Sequence, residues 1–156
     1  MIISKKNILL LLFSIFLFIC MTGCASNPPL PPNLNIVSPS PDVPPETAAF
    51  SGIWEGKWGA IQDTVIVIEE IDTQRAEVII SLGKAETGIS PQNQYMYLTA
   101  TVLPRTIIWS IGEKLNTDCP CSVVLSMDNG PNNLTAFWIF EKTKIKFRAD
   151  LTRRKQ

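Results

Sequence analysis

The sequence predicts an all-β protein, an antiparallel meander of about eight strands closed as a small up-and-down β-barrel. Apolar and polar residues alternate with period two from Phe50 to the C-terminus, which is typical of half-buried strands. Turn signals separate the alternating stretches, most clearly the DNGPNN sequence at 128–133. No window shows the periodicity of an amphipathic helix. These three observations indicate a meander.

A closed barrel is favoured over a two-sheet sandwich, which is the alternative. Eight short strands in about a hundred residues leave sheet edges exposed, and closure removes those edges. Gly52 and Gly56 lie on the first predicted strand. Glycines let a strand bend and let other groups approach its backbone closely, which favours a barrel.

The first residues are predicted to be a leader rather than part of the fold. Lys5 and Lys6 precede an apolar run from Ile8 to Met21. The run is shorter than the roughly 20 residues that cross a bilayer, and it ends at small residues, as secretory signal peptides do. An uncleaved anchor or an ordinary signal peptide is the alternative.

The end of the leader, Met21-Thr22-Gly23-Cys24, resembles the lipobox of bacterial lipoproteins. The resemblance implies cleavage between Gly23 and Cys24 and a diacylglycerol and palmitate on Cys24. Two or more acyl chains hold a protein firmly at a membrane. Ala25 after the cysteine implies the outer membrane, with the protein facing the periplasm; the inner membrane and the cell surface are alternatives. The domains would be a signal peptide (1–23), a lipidated cysteine with a Pro-rich linker (24–49) and a β-barrel (50–156).

The linker is predicted to be a spacer. Its eight prolines are Pro28, Pro29, Pro31, Pro32, Pro39, Pro41, Pro44 and Pro45. Proline fixes φ and removes a hydrogen-bond donor, which excludes helix and sheet. A polyproline-like chain rises about 3.1 Å per residue, so we expect it to hold the barrel several tens of ångströms from the membrane. Recognition of the PPLPP sequence by a partner is the alternative.

The strands follow in order from Phe50. They are predicted at 50–59, 63–71, 75–82, 94–103, 106–111, 121–127, 134–140 and 142–151. On the first strand Trp54 and Trp58 share the face of the two glycines. The last strand carries a basic stripe, Lys142, Lys144, Lys146 and Arg148. Arg153, Arg154 and Lys155 follow it. We interpret the stripe as a solvated outer face or as a surface for anionic lipid, lipopolysaccharide or an acidic partner.

Gly52-Ile53-Trp54 on the first strand, with Arg148 or Arg153 on the last, is similar to the structural signature of the calycins, which include lipocalins, fatty-acid-binding proteins and avidins. The resemblance implies that the tryptophan closes one end of the barrel and that the arginine lies across its ring in a cation–π contact. No ligand-binding motif of these families is matched.

The composition excludes several function classes. Histidine is absent, which removes the commonest general base, the usual catalytic triads and the commonest zinc ligand. Without Lys5 and Lys6 the 14 basic residues become 12 against 14 acidic ones, so no nucleic-acid partner is expected. Glu69, Glu70 and Asp72 are interpreted as a solvated strand end. We predict no enzyme activity, no catalytic residue, no metal and no cofactor.

Two further sets of residues are candidates for function. Cys119 and Cys121 flank Pro120, and an exported chain meets an oxidising compartment. A structural disulfide or two capped thiols are favoured over a redox switch or a soft-metal site. The four tryptophans either line a ligand cavity or fill the barrel. They are Trp54, Trp58, Trp109 and Trp138.

The predicted function is a non-enzymatic binding or envelope-maintenance module, held at the membrane through Cys24, that meets an envelope protein or the cell wall. The alternative is a calycin-like carrier of a small apolar ligand, which needs an interior cavity of about 300 Å³ or more. The sequence does not identify the ligand or the partner.

Overall fold

The computed structural model describes residues 27–59, 61–85, 94–111, 120–127 and 130–155, and it confirms the predicted barrel. Eight antiparallel strands pair in chain order, and the last pairs with the first. The strands are β1 (Gly52–Trp58), β2 (Gln62–Ile71), β3 (Arg75–Leu82), β4 (Gln94–Leu103), β5 (Thr106–Ser110), β6 (Cys121–Ser126), β7 (Asn133–Phe140) and β8 (Lys146–Arg153). The sandwich alternative is wrong, because the sheet closes on itself.

Alternation of side chains fills the barrel. On every strand one face points inward, and these faces together form one continuous apolar core. The core members at the centre of the barrel are almost fully buried, for example Ile66, Ile80 and Leu125. Burial of such side chains stabilises the fold by about 1.5–3 kcal/mol each relative to exposure.

The join between β1 and β8 depends on a glycine. Gly56 pairs with Leu151 across the join. A Cβ at Gly56 would lie 2.6 Å from Leu151 Cδ2 and closer still to the Asp150 carbonyl oxygen. The predicted role of the β1 glycines is therefore confirmed, because a larger side chain here would hold the closing strands apart.

The two ends of the barrel are built differently. At one end, here called the closed end, the strand connections span 72–74, 104–105 and 127–132. At the other, the loop end, the connections span 59–61, 83–93, 111–120 and 141–145. Residues 60, 86–93 and 112–119 of the loop end, and 128–129 of the closed end, lie outside the described residues. The chain enters β1 at the closed end.

The last strand starts later than predicted. Period two continues from Lys142 in the sequence, but β8 begins at Lys146. The intervening residues form a tight turn in which the Lys144 N–H donates to the Phe140 carbonyl oxygen at 2.8 Å. Lys144 has a φ of 57°, the left-handed conformation that turns require and strands do not.

The Pro-rich segment is not the extended spacer that its composition predicts. Residues 29–37, here called the strap, lie on the outer wall of the barrel over β2 and β3. Leu30, Leu34 and Ile36 pack there against an apolar patch on the outside of the sheet. The patch consists of Val65, Val67 and Ile79, with Ile53 beside it. Prolines prevent strand pairing but leave the side chains between them free to pack.

The strap is also held by hydrogen bonds. The Val37 N–H donates to the Glu69 carbonyl oxygen at 2.7 Å, and the Ser81 hydroxyl donates to the Pro29 carbonyl oxygen. After the strap, a one-turn helix that the sequence did not predict, α1 (Pro45–Ala48), leads the chain to the closed end. Within the described residues no helix combines the length and hydropathy needed to span a membrane.

Candidate functional site

Trp54 and Arg153 seal the closed end. Trp54 is fully buried, and its indole N–H donates to the Phe50 carbonyl oxygen at 2.7 Å. The Arg153 guanidinium carbon lies 4.2 Å from the centre of the Trp54 ring, within cation–π range. The predicted pair is therefore present, with Arg153 as the arginine. Arg148 instead lies exposed and pairs with Asp150 at 2.7 Å.

The Arg153 side chain also ties the chain entry to the barrel. Its Nη1 donates to the Ser51 carbonyl oxygen at 2.6 Å, and its Nη2 donates to the Ala49 carbonyl oxygen. Gly52, with a φ of 119°, leaves room for this crossing, because a Cβ there would lie 2.8 Å from Nη1. Burial lowers the pKa of Arg153, but guanidinium groups stay protonated in proteins. The closed end is thus sealed by satisfied hydrogen bonds.

The remaining three tryptophans lie in the loop half of the barrel. Trp58, Trp109 and Trp138 are 4%, 3% and 9% exposed. None of their indole N–H groups has a hydrogen-bond partner in the described part of the chain. A buried donor without a partner costs about 1–3 kcal/mol, and native proteins contain few of them. Three in one barrel half are the most unusual polar feature of the described interior.

An aromatic ladder joins this interior to the mouth of the loop end. Trp58 and Trp138 meet edge to face with ring centres 5.6 Å apart. Trp138 stacks on Phe140 at 6.4 Å, and Phe140 contacts Phe147 edge to face at 5.8 Å. Phe147 is 40% exposed. A continuous line of aromatic side chains therefore runs from Trp58 and Trp138 to the surface.

Other polar side chains in the same half of the barrel are satisfied. The Gln62 side-chain amide donates to the Gly83 carbonyl oxygen at 2.9 Å, and the Thr64 hydroxyl donates to the Ser81 carbonyl oxygen at 2.9 Å. The unpaired groups in the described interior are thus donors and not acceptors. The chemical complement of this interior is an apolar molecule that carries oxygen acceptors.

A groove of about 450 Å³ on the outer wall, over β1, β2 and β8, is less suited to a ligand. Its charges pair with one another: Lys57 with Asp63 at 3.4 Å, and Arg154 with Glu55. Exposed pairs of this kind are solvated and contribute little to stability or binding. We interpret the groove as a solvated surface.

The predicted cysteine sites are only partly within the described residues. Gly23, Cys24 and Cys119 lie outside them. Cys121 is buried and disulfide-bonded. The three other cysteines of the chain all lie outside the described residues, so the pairing of Cys121 with Cys119 stays a prediction.

Two of the acidic residues near the end of β2 have structural roles. The Asp72 carboxylate accepts the backbone N–H groups of Gln74 and Arg75 at 2.6 and 2.7 Å, which lowers the pKa of Asp72. Glu69 accepts the Asn35 N–H of the strap at 2.8 Å. Across the described ranges no three His, Cys, Asp or Glu side chains come together as metal ligands.

The mouth residues and the strap belong to no motif that the sequence displays. Phe140 and Phe147 were placed on strands but not assigned to a site. The apolar outer faces of Val65, Val67 and Ile79 were the available signal for the strap, because a barrel wall that faces water alternates with polar residues.

Comparison with protein-family models, with curated proteins and with solved structures gave no match. Function is therefore inferred from the geometry of the barrel and from its chemistry. The loop half is the candidate site, because it combines an apolar mouth with three buried indole N–H groups that have no partner among the described residues.

Proposed function

We propose that this chain is a bacterial envelope lipoprotein, anchored through Cys24, whose calycin-like barrel binds a small and largely apolar molecule. The single observation that carries the proposal is the set of three buried indole N–H groups without a partner among the described residues. They lie in the half of the barrel that carries the apolar mouth, away from the sealed end. The proposed role involves no catalytic residue, metal or cofactor.

The physical basis is the satisfaction of buried donors. A ligand oxygen that accepts one of these indole N–H groups recovers much of the cost of burying it, about 1–3 kcal/mol for each group. The apolar remainder of the ligand would contact the aromatic ladder at about 25 cal/mol per Å² of buried surface. An eight-stranded barrel is just wide enough for its interior to be filled by side chains or to hold one small ligand. Because an apolar core fills this barrel, the proposed ligand would enter by displacing side chains of the aromatic ladder. The ligand class is an apolar chain or ring with a carboxylate, ester or carbonyl oxygen.

The sealed end supports the calycin-like assignment. Trp54 under Arg153 closes one end, as the calycin signature implies, so the proposed entrance is the opposite end. Fold likeness alone does not define a ligand, which is why the proposal depends on the indoles.

Binding can be measured by tryptophan fluorescence on a chain that starts at Ala25 and so cannot be lipidated. The probes are dodecanoic acid, its methyl ester and dodecylamine, which have equal chains but differ in acceptor and donor headgroups. We expect saturable binding of the acid and ester, and binding of the amine about tenfold weaker, a difference of about 1.4 kcal/mol. Equal affinity for all three would remove the argument from the indoles.

A pair of matched variants places the ligand. Trp109→Phe removes one unpaired N–H and keeps an aromatic ring, so we expect about tenfold weaker binding of the methyl ester. Trp54→Phe removes an N–H that Phe50 already satisfies, and we expect no change in affinity. If Trp54→Phe lost affinity and Trp109→Phe did not, the ligand would lie at the closed end, and the proposal would be wrong.

The proposed location has its own test. Mass spectrometry of the protein made in a bacterial host should find a diacylglyceryl group on Cys24 and no residues 1–23, in an outer-membrane fraction. The variant Cys24→Ser should keep its leader. If the wild-type protein had a free Cys24 thiol and an intact leader, the anchor would be disproved, but the ligand-binding proposal would be unaffected.

A second candidate function, a partner protein on the barrel wall, is favoured by the join between β4 and β5. Among the described residues, β4 and β5 pair with each other only through residues 101–103 and 106–108. The earlier part of β4 carries Tyr95 and Tyr97 on its exposed face, with ring centres 5.9 Å apart. A partner strand could add to this edge. Crosslinking of cells should then capture a partner that Tyr97→Lys loses while ester binding is unchanged.

A further inference from the structure

We propose that the β7–β8 finger (Glu141–Phe147) docks the loop end of the barrel on an anionic lipid bilayer. The finger would place Ile145 and Phe147 at the apolar boundary and its lysines against the headgroups. This goes beyond the proposed ligand binding, because it assigns a surface and a partner rather than an interior site.

The finger combines exposed apolar side chains with positive charge. Ile145 and Phe147 are 52% and 40% exposed. Lys144 and Lys146 alternate with them, and Lys142 precedes them. Glu141, the one acidic residue of the finger, forms an exposed ion pair with Lys144 at 3.3 Å. Lysine beside exposed large apolar side chains is the composition of surfaces that lie in a membrane interface. Attraction to anionic lipid is worth roughly fivefold in affinity for each lysine near the surface.

The finger is held in shape rather than left as a loose loop. The Phe140 N–H donates to the Ile145 carbonyl oxygen at 2.9 Å, and the Lys144 N–H donates back to the Phe140 carbonyl oxygen at 2.8 Å. The Glu141 N–H donates to the Pro120 carbonyl oxygen at 2.9 Å. A surface that is already ordered loses little entropy when it docks.

The strap directs the proposed anchor toward the same end. Val37 bonds to Glu69 near the closed end, and Pro29 accepts from Ser81 in the loop half. Followed back toward the N-terminus, the strap thus runs toward the loop end. Cys24 lies five residues before Pro29, a reach of at most about 18 Å. With the proposed lipid on Cys24 taken as given, the loop end stays within reach of the bilayer.

Docking at this end would face the mouth of the barrel toward lipid. Phe147, at the outer end of the aromatic ladder, belongs to the finger itself. A ligand could then pass from the bilayer to the indoles without crossing water. Under this orientation the ligand class narrows to amphiphiles that already reside in membranes, a step that rests on the proposed function.

The test uses the processed, lipidated full-length protein in phosphatidylcholine vesicles with and without phosphatidylglycerol. Ile145→Trp reports on the finger, and Leu103→Trp is the matched control, because Leu103 is 46% exposed and lies at the closed end. Lipids with brominated acyl chains quench only tryptophans that contact them. We expect the emission added at position 145 to be quenched when phosphatidylglycerol is present, and that added at 103 to be unaffected.

Charge removal gives an independent readout. In the Ile145→Trp background, the double change Lys144→Gln and Lys146→Gln should lower the ratio of vesicle-docked to undocked protein about fivefold for each lysine. Added salt should lower the same ratio in the protein that keeps its lysines. Equal quenching at 145 and 103, no quenching at either, or quenching that ignores phosphatidylglycerol and salt would each overturn the proposal. Measuring methyl ester binding by the Lys144→Gln/Lys146→Gln variant separates ligand binding from membrane docking. If the variant binds the ester normally but no longer docks on the vesicles, both proposals are supported. If it binds the ester normally and docks as well as before, only the docking proposal is refuted.

Discussion

Trp54 and Trp109 lie in opposite halves of one barrel, and their indole N–H groups are treated in opposite ways. At the closed end the N–H of Trp54 meets a backbone oxygen, and Arg153 covers its ring. In the loop half, the N–H of Trp109 and those of Trp58 and Trp138 have no partner in the described structure. The degree of burial does not explain why one indole N–H is paired and the other is not, because both tryptophans are nearly fully buried.

This difference between the two ends indicates that the closed end contributes to folding stability, whereas the loop half is suited to binding a ligand. A closed end with satisfied polar groups contributes to folding, whereas unpaired donors lower the free energy of unfolding unless something binds them. Natural proteins break local rules mainly at functional sites and compensate elsewhere. The apolar core and the sealed end provide that compensation here.

The largest expected effect concerns the β1–β8 join. Gly56→Val should lower the free energy of unfolding by about 3 kcal/mol or more, since its side chain would collide with the backbone of β8. Gly59→Ala, at the loop end, should cost only about 1–2 kcal/mol, because its φ of 55° strains alanine but its surroundings are open. Urea unfolding measures both. Equal costs would show that the join is not tight.

The next effect compares two arginines of β8. Arg153→Ala should cost about 2–4 kcal/mol, because it removes the cation–π contact and leaves the Ser51 and Ala49 carbonyl oxygens without their donor. Arg148→Ala removes only an exposed pair with Asp150 and should cost less than about 1 kcal/mol. Thermal unfolding monitored by circular dichroism distinguishes them. A reversed order would contradict the assignment of Arg153 to the seal.

A smaller effect tests the indoles themselves. Trp54→Phe and Trp109→Phe remove the same atoms from buried sites, so their loss of packing is similar. Trp54→Phe also leaves the Phe50 carbonyl oxygen without its donor, whereas Trp109→Phe removes an unpaired donor. We therefore expect Trp54→Phe to be more destabilising by about 1–2 kcal/mol in urea unfolding without ligand. If Trp109→Phe is the costlier change, its N–H has a partner after all.

Much of the barrel was predictable because strand periodicity and turns are local signals. The choice between the two arginines was available too: Arg153 has the same parity on the strand as the inward-facing Ala149 and Leu151, and Arg148 has the opposite parity. The start of β8 was not predictable from period two, because the turn residues before Lys146 alternate by coincidence.

The strap and the unpaired indoles needed the three-dimensional structure. Proline content excludes strand pairing, but it does not say whether Leu34 and Ile36 meet a surface. The tryptophans were recognised as core or cavity residues from their positions. Whether an indole N–H finds an acceptor depends on neighbours from other strands, and no local pattern reports it.

The smallest effect compares an acidic residue at each end. At the closed end, backbone N–H groups lower the pKa of Asp72 below its ordinary value of 3.8. At the loop end, the Ser122 hydroxyl and the Lys144 ammonium lower the pKa of Glu141 below 4.5. A carboxylate whose pKa is lower in the folded state stabilises the fold above its ordinary pKa, and this contribution is lost as the pH falls through the folded value.

Asp72→Asn and Glu141→Gln should therefore each lower the melting temperature slightly at neutral pH and converge on the wild type in strong acid. Salt distinguishes the two ends. The deficit of Glu141→Gln should shrink with added salt, since part of it comes from the exposed Lys144 charge. The deficit of Asp72→Asn should persist, because its main partners are neutral backbone groups. If added salt removed the loss of melting temperature in both variants at neutral pH, charge and not hydrogen bonding would stabilise the turn at Asp72.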